Sequence, residues 1–139
     1  MDISETDRAY LAGILDGEGN LNLICTERCF QVNVFVANNA PEIHKWLSEK
    51  FGGMTRDSYT SRTKCMRTEW NNRQAIKTLL EAAYPYLLIK RLEAGILLLY
   101  VNGSNGRGQA HDLSEEKILE LAMLMKIEHW KRRTEKEVM

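Results

Sequence analysis

The sequence predicts an α+β fold, with helices covering one face of an antiparallel sheet. Three observations predict it: two pairs of period-two segments joined by short turns, helix-period segments between them, and a helical C-terminal third. Ser4-x-x-Asp7 reads as a capping box opening a first helix, which runs through Arg8–Asp16 and stops at Gly17 and Gly19. Leu21, Leu23 and Cys25 then alternate with Asn20, Asn22 and Thr26, a half-buried strand. Glu27-Arg28 is the turn, and residues 30–38 alternate again, with Val32, Val34 and Val36 on one side and Gln31, Asn33 and Phe35 on the other. Pro41 opens a short amphipathic helix over Glu42–Phe51, ended by Gly52-Gly53. Met54–Thr60 and Lys64–Trp70 form a second hairpin around Ser61-Arg62-Thr63. Asn71 or Asn72 caps a third helix, broken at Tyr84-Pro85-Tyr86. A fourth helix is expected over Leu88–Val101, and an accessory C-terminal helix capped by Ser114 over 114–137.

A chain of 139 residues holds one domain with its own core, so 1–139 is read as a single domain. No apolar stretch is long enough to span a bilayer, and no signal peptide is visible at the N-terminus. Cys25, Cys29 and Cys65 are an odd, sparse set, read as reduced thiols, and no second Cys/His pair at ligand spacing accompanies Cys25 and Cys29. An intracellular protein of the cytoplasm or an organelle matrix is expected, with no membrane partner and no small-molecule substrate. The formal net charge is zero, but it is unevenly distributed. Residues 1–18 carry Asp2, Glu5, Asp7, Asp16 and Glu18 against Arg8, whereas residues 54–73 carry Arg56, Arg62, Lys64, Arg67 and Arg73 against Asp57 and Glu69.

The sheet face not covered by helices is expected to present Asn20, Asn22, Thr26, Arg28, Gln31, Asn33, Arg56 and Ser58, joined by Arg62, Lys64 and Arg67. Amides and bases of this kind read base edges, and a twisted antiparallel ribbon fits the major groove of double-stranded DNA.

The segment Leu11-Ala-Gly-Ile-Leu-Asp-Gly-Glu-Gly19 carries the chemistry. Gly13 and Gly17 lie one turn apart on one helix face, although each costs about 1 kcal/mol relative to Ala in a helix. Close approach by another helix is a reason for both. Asp16 and Glu18 stand at the helix C-terminus, where acids oppose the macrodipole and the last carbonyls point the same way. Acids plus carbonyls make an oxygen-ligand site for Mg²⁺ or a similar hard ion. Two such helices packed together would pair their sites, as phosphodiester cleavage uses.

The segment resembles the LAGLIDADG motif of homing endonucleases. Leu11, Ala12, Gly13, Asp16 and Gly19 are identical to it; Ile14 and Leu15 exchange its Leu and Ile; Gly17 replaces its Ala, and Glu18 its second Asp with the carboxylate kept. The resemblance implies an αββαββα fold, with a saddle-shaped four-stranded antiparallel sheet per subunit plus C-terminal helices. It also implies site-specific, metal-dependent double-strand cleavage of DNA across the minor groove, leaving short 3′ overhangs. Mg²⁺ is the implied cofactor, with Mn²⁺ or Ca²⁺ substituting for binding, held by the Glu18 side chain and the Gly17 carbonyl. Tyr84-Pro-Tyr-Leu-Leu-Ile-Lys-Arg91 resembles the family's Pro-aromatic-Leu-x-x-Lys segment, which makes Lys90 the lysine that polarises water near the scissile phosphate. Asn38 falls where many members carry a water-orienting Gln, and Asp16 is structural.

Ala94-Gly-Ile-Leu-Leu-Leu-Tyr100 has no acid after it and reads as a buried helix face rather than a second motif. With one motif, the glycine face needs a partner chain, so a homodimer with a roughly palindromic target is expected, its interface comprising Ala12, Gly13, Asp16 and Gly17. The alternative is a non-catalytic binder on the same fold, an intron maturase or a transcription factor. Trp46 and Trp70 are expected in the core. His44, His111 and His129 are expected at the surface, and Lys131–Arg133 at a solvated helix end.

Overall fold

The computed structural model describes residues 2–26, 29–59, 64–103 and 113–138. Helix α1 (Glu5–Glu18) leads into strands β1 (Gly19–Cys25) and β2 (Phe30–Ala37). Helix α2 (Pro41–Phe51), strands β3 (Met54–Tyr59) and β4 (Lys64–Trp70), and helix α3 (Arg73–Ala83) follow. A 3₁₀ turn (Tyr84–Tyr86) precedes α4 (Arg91–Asn102) and α5 (Glu115–Val138). The strands form one antiparallel sheet in the order β1-β2-β4-β3. The α+β expectation and the αββαββα order are therefore what the chain adopts.

Local signals explain most boundaries. The Ser4 hydroxyl accepts from the Asp7 N–H at 3.1 Å, and the Asp7 carboxylate accepts from the Ser4 N–H at 3.0 Å, closing the capping box. That backbone bond, with Lys50 beside it, holds the Asp7 carboxyl below its usual range. Gly19 turns α1 directly into β1; a Cβ there would sit 2.7 Å from the Leu15 carbonyl oxygen, so only glycine fits. Asn72 caps α3 through its Oδ1 and the Ala75 N–H, 2.9 Å apart.

The core lies between the sheet and the helices. Leu11 and Leu15 from α1, Leu21, Val34, Val36 and Trp70 from the sheet, Leu47, Ile76, Leu80 and Leu97 from α2, α3 and α4, and Met125 from α5 are all buried there. Trp70 is core, as expected, and its Nε1 donates to the Phe51 carbonyl at 2.9 Å. Helix α5 lies along β1, the sheet's first strand.

Two expectations need correction. Helix α4 starts at Arg91, not at Leu88, because the Asp16 carboxylate accepts the backbone N–H groups of Leu88, Ile89 and Lys90 at 2.9, 3.1 and 2.9 Å. Those donors are held as a bend instead of opening a helix. His44 is not at the surface: it is 1% exposed, with each ring nitrogen 2.6 Å from a buried or half-buried oxygen. His129 is half-buried, and His111 lies outside the described residues.

The basic run on α5 is also not simply solvated. Arg132 grips the buried Glu93 carboxylate of α4 with Nε at 2.8 Å and Nη2 at 2.7 Å, and Nη2 donates to the Ile89 carbonyl at 2.6 Å. Removing the cation would strand a buried charge. Arg132→Met is expected to lower stability by about 3 kcal/mol in urea unfolding. Arg132→Met and Glu93→Leu combined should recover most of that loss, and equal stability of Arg132→Met and the parent would refute the pairing.

Candidate active site

The end of α1 is where the predicted residues converge. Gly19 pairs with Val36 across β1 and β2, which brings Asn38, just past β2, beside Glu18. The Asn38 Nδ2 donates to Glu18 Oε2 at 2.5 Å. The amide's orientation follows from its other end, where Oδ1 accepts from the Ala40 N–H at 2.7 Å. The Asn38 backbone is held as well, its N–H donating to the Met66 carbonyl at 3.1 Å and its carbonyl lying 2.6 Å from His44 Nε2.

Lys90 approaches from the opposite side. Its Nζ donates to the Leu15 carbonyl at 2.9 Å and to the Gly19 carbonyl at 2.5 Å. The ammonium thus sits at the negative end of the α1 dipole. Asp16 fixes it there by holding the Lys90 N–H and the two before it. Two carboxylates two residues apart have different surroundings: Asp16 turns to the bend before α4, and exposed Glu18 turns to Asn38.

A cleft of about 810 Å³ opens beside Lys90, between β1 and α5, lined by Gly17, Asn20, Lys90, His129 and Arg133 among others. His129 Nε2 lies 3.1 Å from the Leu21 carbonyl. In the β1–β2 register the carbonyls of Gly19 and Leu21 point away from β2, so Lys90 and His129 bind successive outward carbonyls of this edge strand. Arg133 is exposed, as expected of a solvated helix end, and also lines this cleft, one helical turn along α5 from His129.

On the uncovered sheet face, Asn20, Asn22, Gln31, Asn33, Arg56 and Arg67 share one side by strand alternation. The Asn22 amide donates to Asn33 Oδ1 at 2.7 Å. Arg56 Nη2 donates to both oxygens of Glu69, at 2.9 and 2.8 Å. Arg67 Nε lies 3.0 Å from Glu69 as an ion pair at an angle that makes no hydrogen bond, and its guanidinium stacks 3.3 Å from the Phe35 ring centroid. Two cations thus share one anion. Thr26 ends the strand with its hydroxyl 2.9 Å from the Cys29 carbonyl. Lys64 is a correction: it is three residues from Arg67, so the pleat turns it to the other face, where its Nζ pairs with Asp57 at 3.3 Å. Arg28, Arg62 and the Ser58 side chain lie outside the described residues.

Of the four residues expected at a dimer interface, two are open. Gly13 and Gly17 are exposed, and a Cβ on either would meet nothing within 4 Å. They floor a shallow groove of about 360 Å³ with Tyr10, Ile14 and Ile43 on its walls. Ala12 instead is 1% exposed in the chain's own core, and the Asp16 carboxylate is engaged within the chain. Ala12 thus offers no surface to a partner, whereas Asp16 stays half-buried at the edge of the cleft.

No family model matches the sequence, and no curated protein matches it. Solved structures do. The homing endonuclease I-TnaI superposes over 100% of both chains at a TM-score of 0.68 and 20% identity. The archaeal intron-encoded homing endonuclease I-Vdi141I, solved with DNA, matches 89% of this chain and 84% of its own at 0.73 and 12% identity. The homing endonuclease I-CvuI, solved with uncleaved target DNA and Mg, matches 88% and 96% at 0.61 and 17% identity. The chain has the fold of the LAGLIDADG homing endonucleases. Within a LAGLIDADG fold, Leu11–Gly19 is the helix α1 end described above, so motif and architecture coincide at one place.

Among the described residues no three His, Cys, Asp or Glu side chains cluster as a ligand set. What the LAGLIDADG helix does present is the Glu18 carboxylate, with the backbone carbonyl of exposed Gly17 next to it. These are hard oxygen donors, which fit Mg²⁺ or Ca²⁺ and not a thiophilic metal.

Proposed function

We propose that this chain is a site-specific, divalent-metal-dependent DNA endonuclease that acts as a homodimer on a roughly palindromic target. The observation that carries the reading is Glu18: an exposed carboxylate, oriented by Asn38, at the end of a helix whose glycine face is open. Two copies joined along Gly13 and Gly17 would bring their Glu18 carboxylates together over one duplex. I-CvuI was solved with Mg on the I-CreI target, left uncleaved, and with Ca on its own target, which supports a divalent ion.

Glu18 and the Gly17 carbonyl are the proposed metal ligands, and Mg²⁺ held there supplies charge stabilisation at the scissile phosphate and an acidified water. Asn38 keeps the Glu18 carboxylate aimed outward. Lys90, anchored through Asp16, places a positive charge next to the site. Asn20, Asn22, Gln31 and Asn33 offer amides to base edges, and Arg56 and Arg67 offer cations to phosphate or guanine.

The test is selection from a randomised duplex library, run with Mg²⁺ and with chelator. The expected result is recovery of cut, near-palindromic sites in the Mg²⁺ arm alone. Sites that are bound without being cut in either arm would replace the nuclease reading with that of a non-catalytic binder.

A further inference from the structure

A chain of polar groups, buried at His44 and Thr68 and reaching the surface at Ser48 and Thr55, ends at the candidate site from behind. His44 Nε2 is 2.6 Å from the Asn38 carbonyl, and Nδ1 is 2.6 Å from the hydroxyl of fully buried Thr68. Thr68 Oγ1 is 2.8 Å from Thr55 Oγ1, which is 2.9 Å from Ser48 Oγ.

For a neutral ring, the direction of every bond follows from the one group that cannot donate. A backbone carbonyl only accepts, so Nε2 carries the proton toward Asn38. In the neutral ring Nδ1 is then an acceptor, and the Thr68 hydroxyl donates to it. With its proton so placed, Thr68 accepts from Thr55, and Thr55 accepts from Ser48. The order is Ser48, Thr55, Thr68, His44, Asn38, with donors and acceptors matched at each step.

We infer that His44 is a positioning residue of the Glu18 site. Asn38 lies past the last paired residue of β2, where the sheet ladder no longer holds its carbonyl. His44 supplies that hold from α2. With the carbonyl fixed by His44, the N–H by Met66 and Oδ1 by Ala40, the Asn38 amide has one direction left for its donors, toward Glu18. A histidine that merely filled the core would have no need to face the backbone of a site residue. This inference rests on the proposed role of Glu18; its geometric part does not.

The test separates the two. In the wild-type chain without DNA, imidazole ¹⁵N NMR is expected to show His44 protonated at Nε2 and bare at Nδ1; the opposite tautomer would overturn the inference with no variant needed. Two variants then divide the ring's functions. His44→Gln keeps an N–H donor near the Nε2 position, whereas His44→Asn keeps a polar group near Nδ1 and stops short of Asn38. The Asn38 side-chain amide resonances, identified by their loss in Asn38→Ala, should keep their wild-type shifts in His44→Gln and move to those of a solvated amide in His44→Asn. The Mg²⁺ concentration for half-maximal cleavage should rise roughly 10–100-fold in His44→Asn and stay within about threefold in His44→Gln, as for partners that orient a metal ligand. Equal behaviour of the two variants in the NMR experiment would reduce His44 to a core residue. Absence of any cleavage would sink the nuclease reading and leave the NMR result standing.

Discussion

Glu18→Gln is expected to bind its DNA target at least as tightly as the wild-type chain and to cut it roughly 10³-fold more slowly or not at all. The side chain keeps its size, and its amide oxygen can still accept from Asn38 Nδ2, so the local geometry survives. What disappears is a negative charge at the end of α1. That charge opposes the helix dipole and repels phosphate, so its loss favours folding and binding while removing the proposed metal ligand. Cleavage of a supercoiled plasmid carrying the selected site, alongside gel-shift affinity in Ca²⁺, reads both properties. A Glu18→Gln protein that cuts at the wild-type rate would remove Glu18 from the active site.

Gly13→Leu is expected to leave the subunit folded and to abolish the pair. Within one chain the position is open, since a Cβ there meets nothing within 4 Å. Leucine also suits a helix interior better than glycine, by about 0.8 kcal/mol. Thermal unfolding of the isolated subunit should therefore rise slightly. In the proposed homodimer the same side chain stands between two helices that need backbone contact, and each Glu18 loses its counterpart. Sedimentation should show a dimer for the wild-type chain and a monomer for Gly13→Leu at micromolar concentration, with double-strand cleavage lost. A Gly13→Leu chain that still dimerises with undiminished affinity would move the interface elsewhere.

The element order was legible because each boundary carries a local signal: the Ser4–Asp7 capping box, Pro41, Asn72 and the period of the strands. The meeting of Glu18 with Asn38 and Lys90 was legible only through resemblance, because two strands, two helices and a bend have to be in place before they touch. Where the reading failed, the cause was long-range. The start of α4 moved because Asp16, far back in the chain, takes the amide protons of Leu88, Ile89 and Lys90. His44 looked like a surface residue because the groups that satisfy it come from the end of β2 and from β4. Lys64 is different: an odd separation from Arg67 along one strand already assigns them to opposite faces, so that error was avoidable from the sequence.

The hold of Lys90 and His129 on β1 has a consequence for self-association. An edge strand with free carbonyls is a template on which another chain can add a strand, and sheets joined that way grow without limit. Here the Gly19 and Leu21 carbonyls are engaged and α5 lies alongside. Strand addition at that border would have to displace a lysine, a histidine and a helix. The glycine groove of α1 carries no such cover, and in the proposed homodimer association through it would close after two copies instead of propagating.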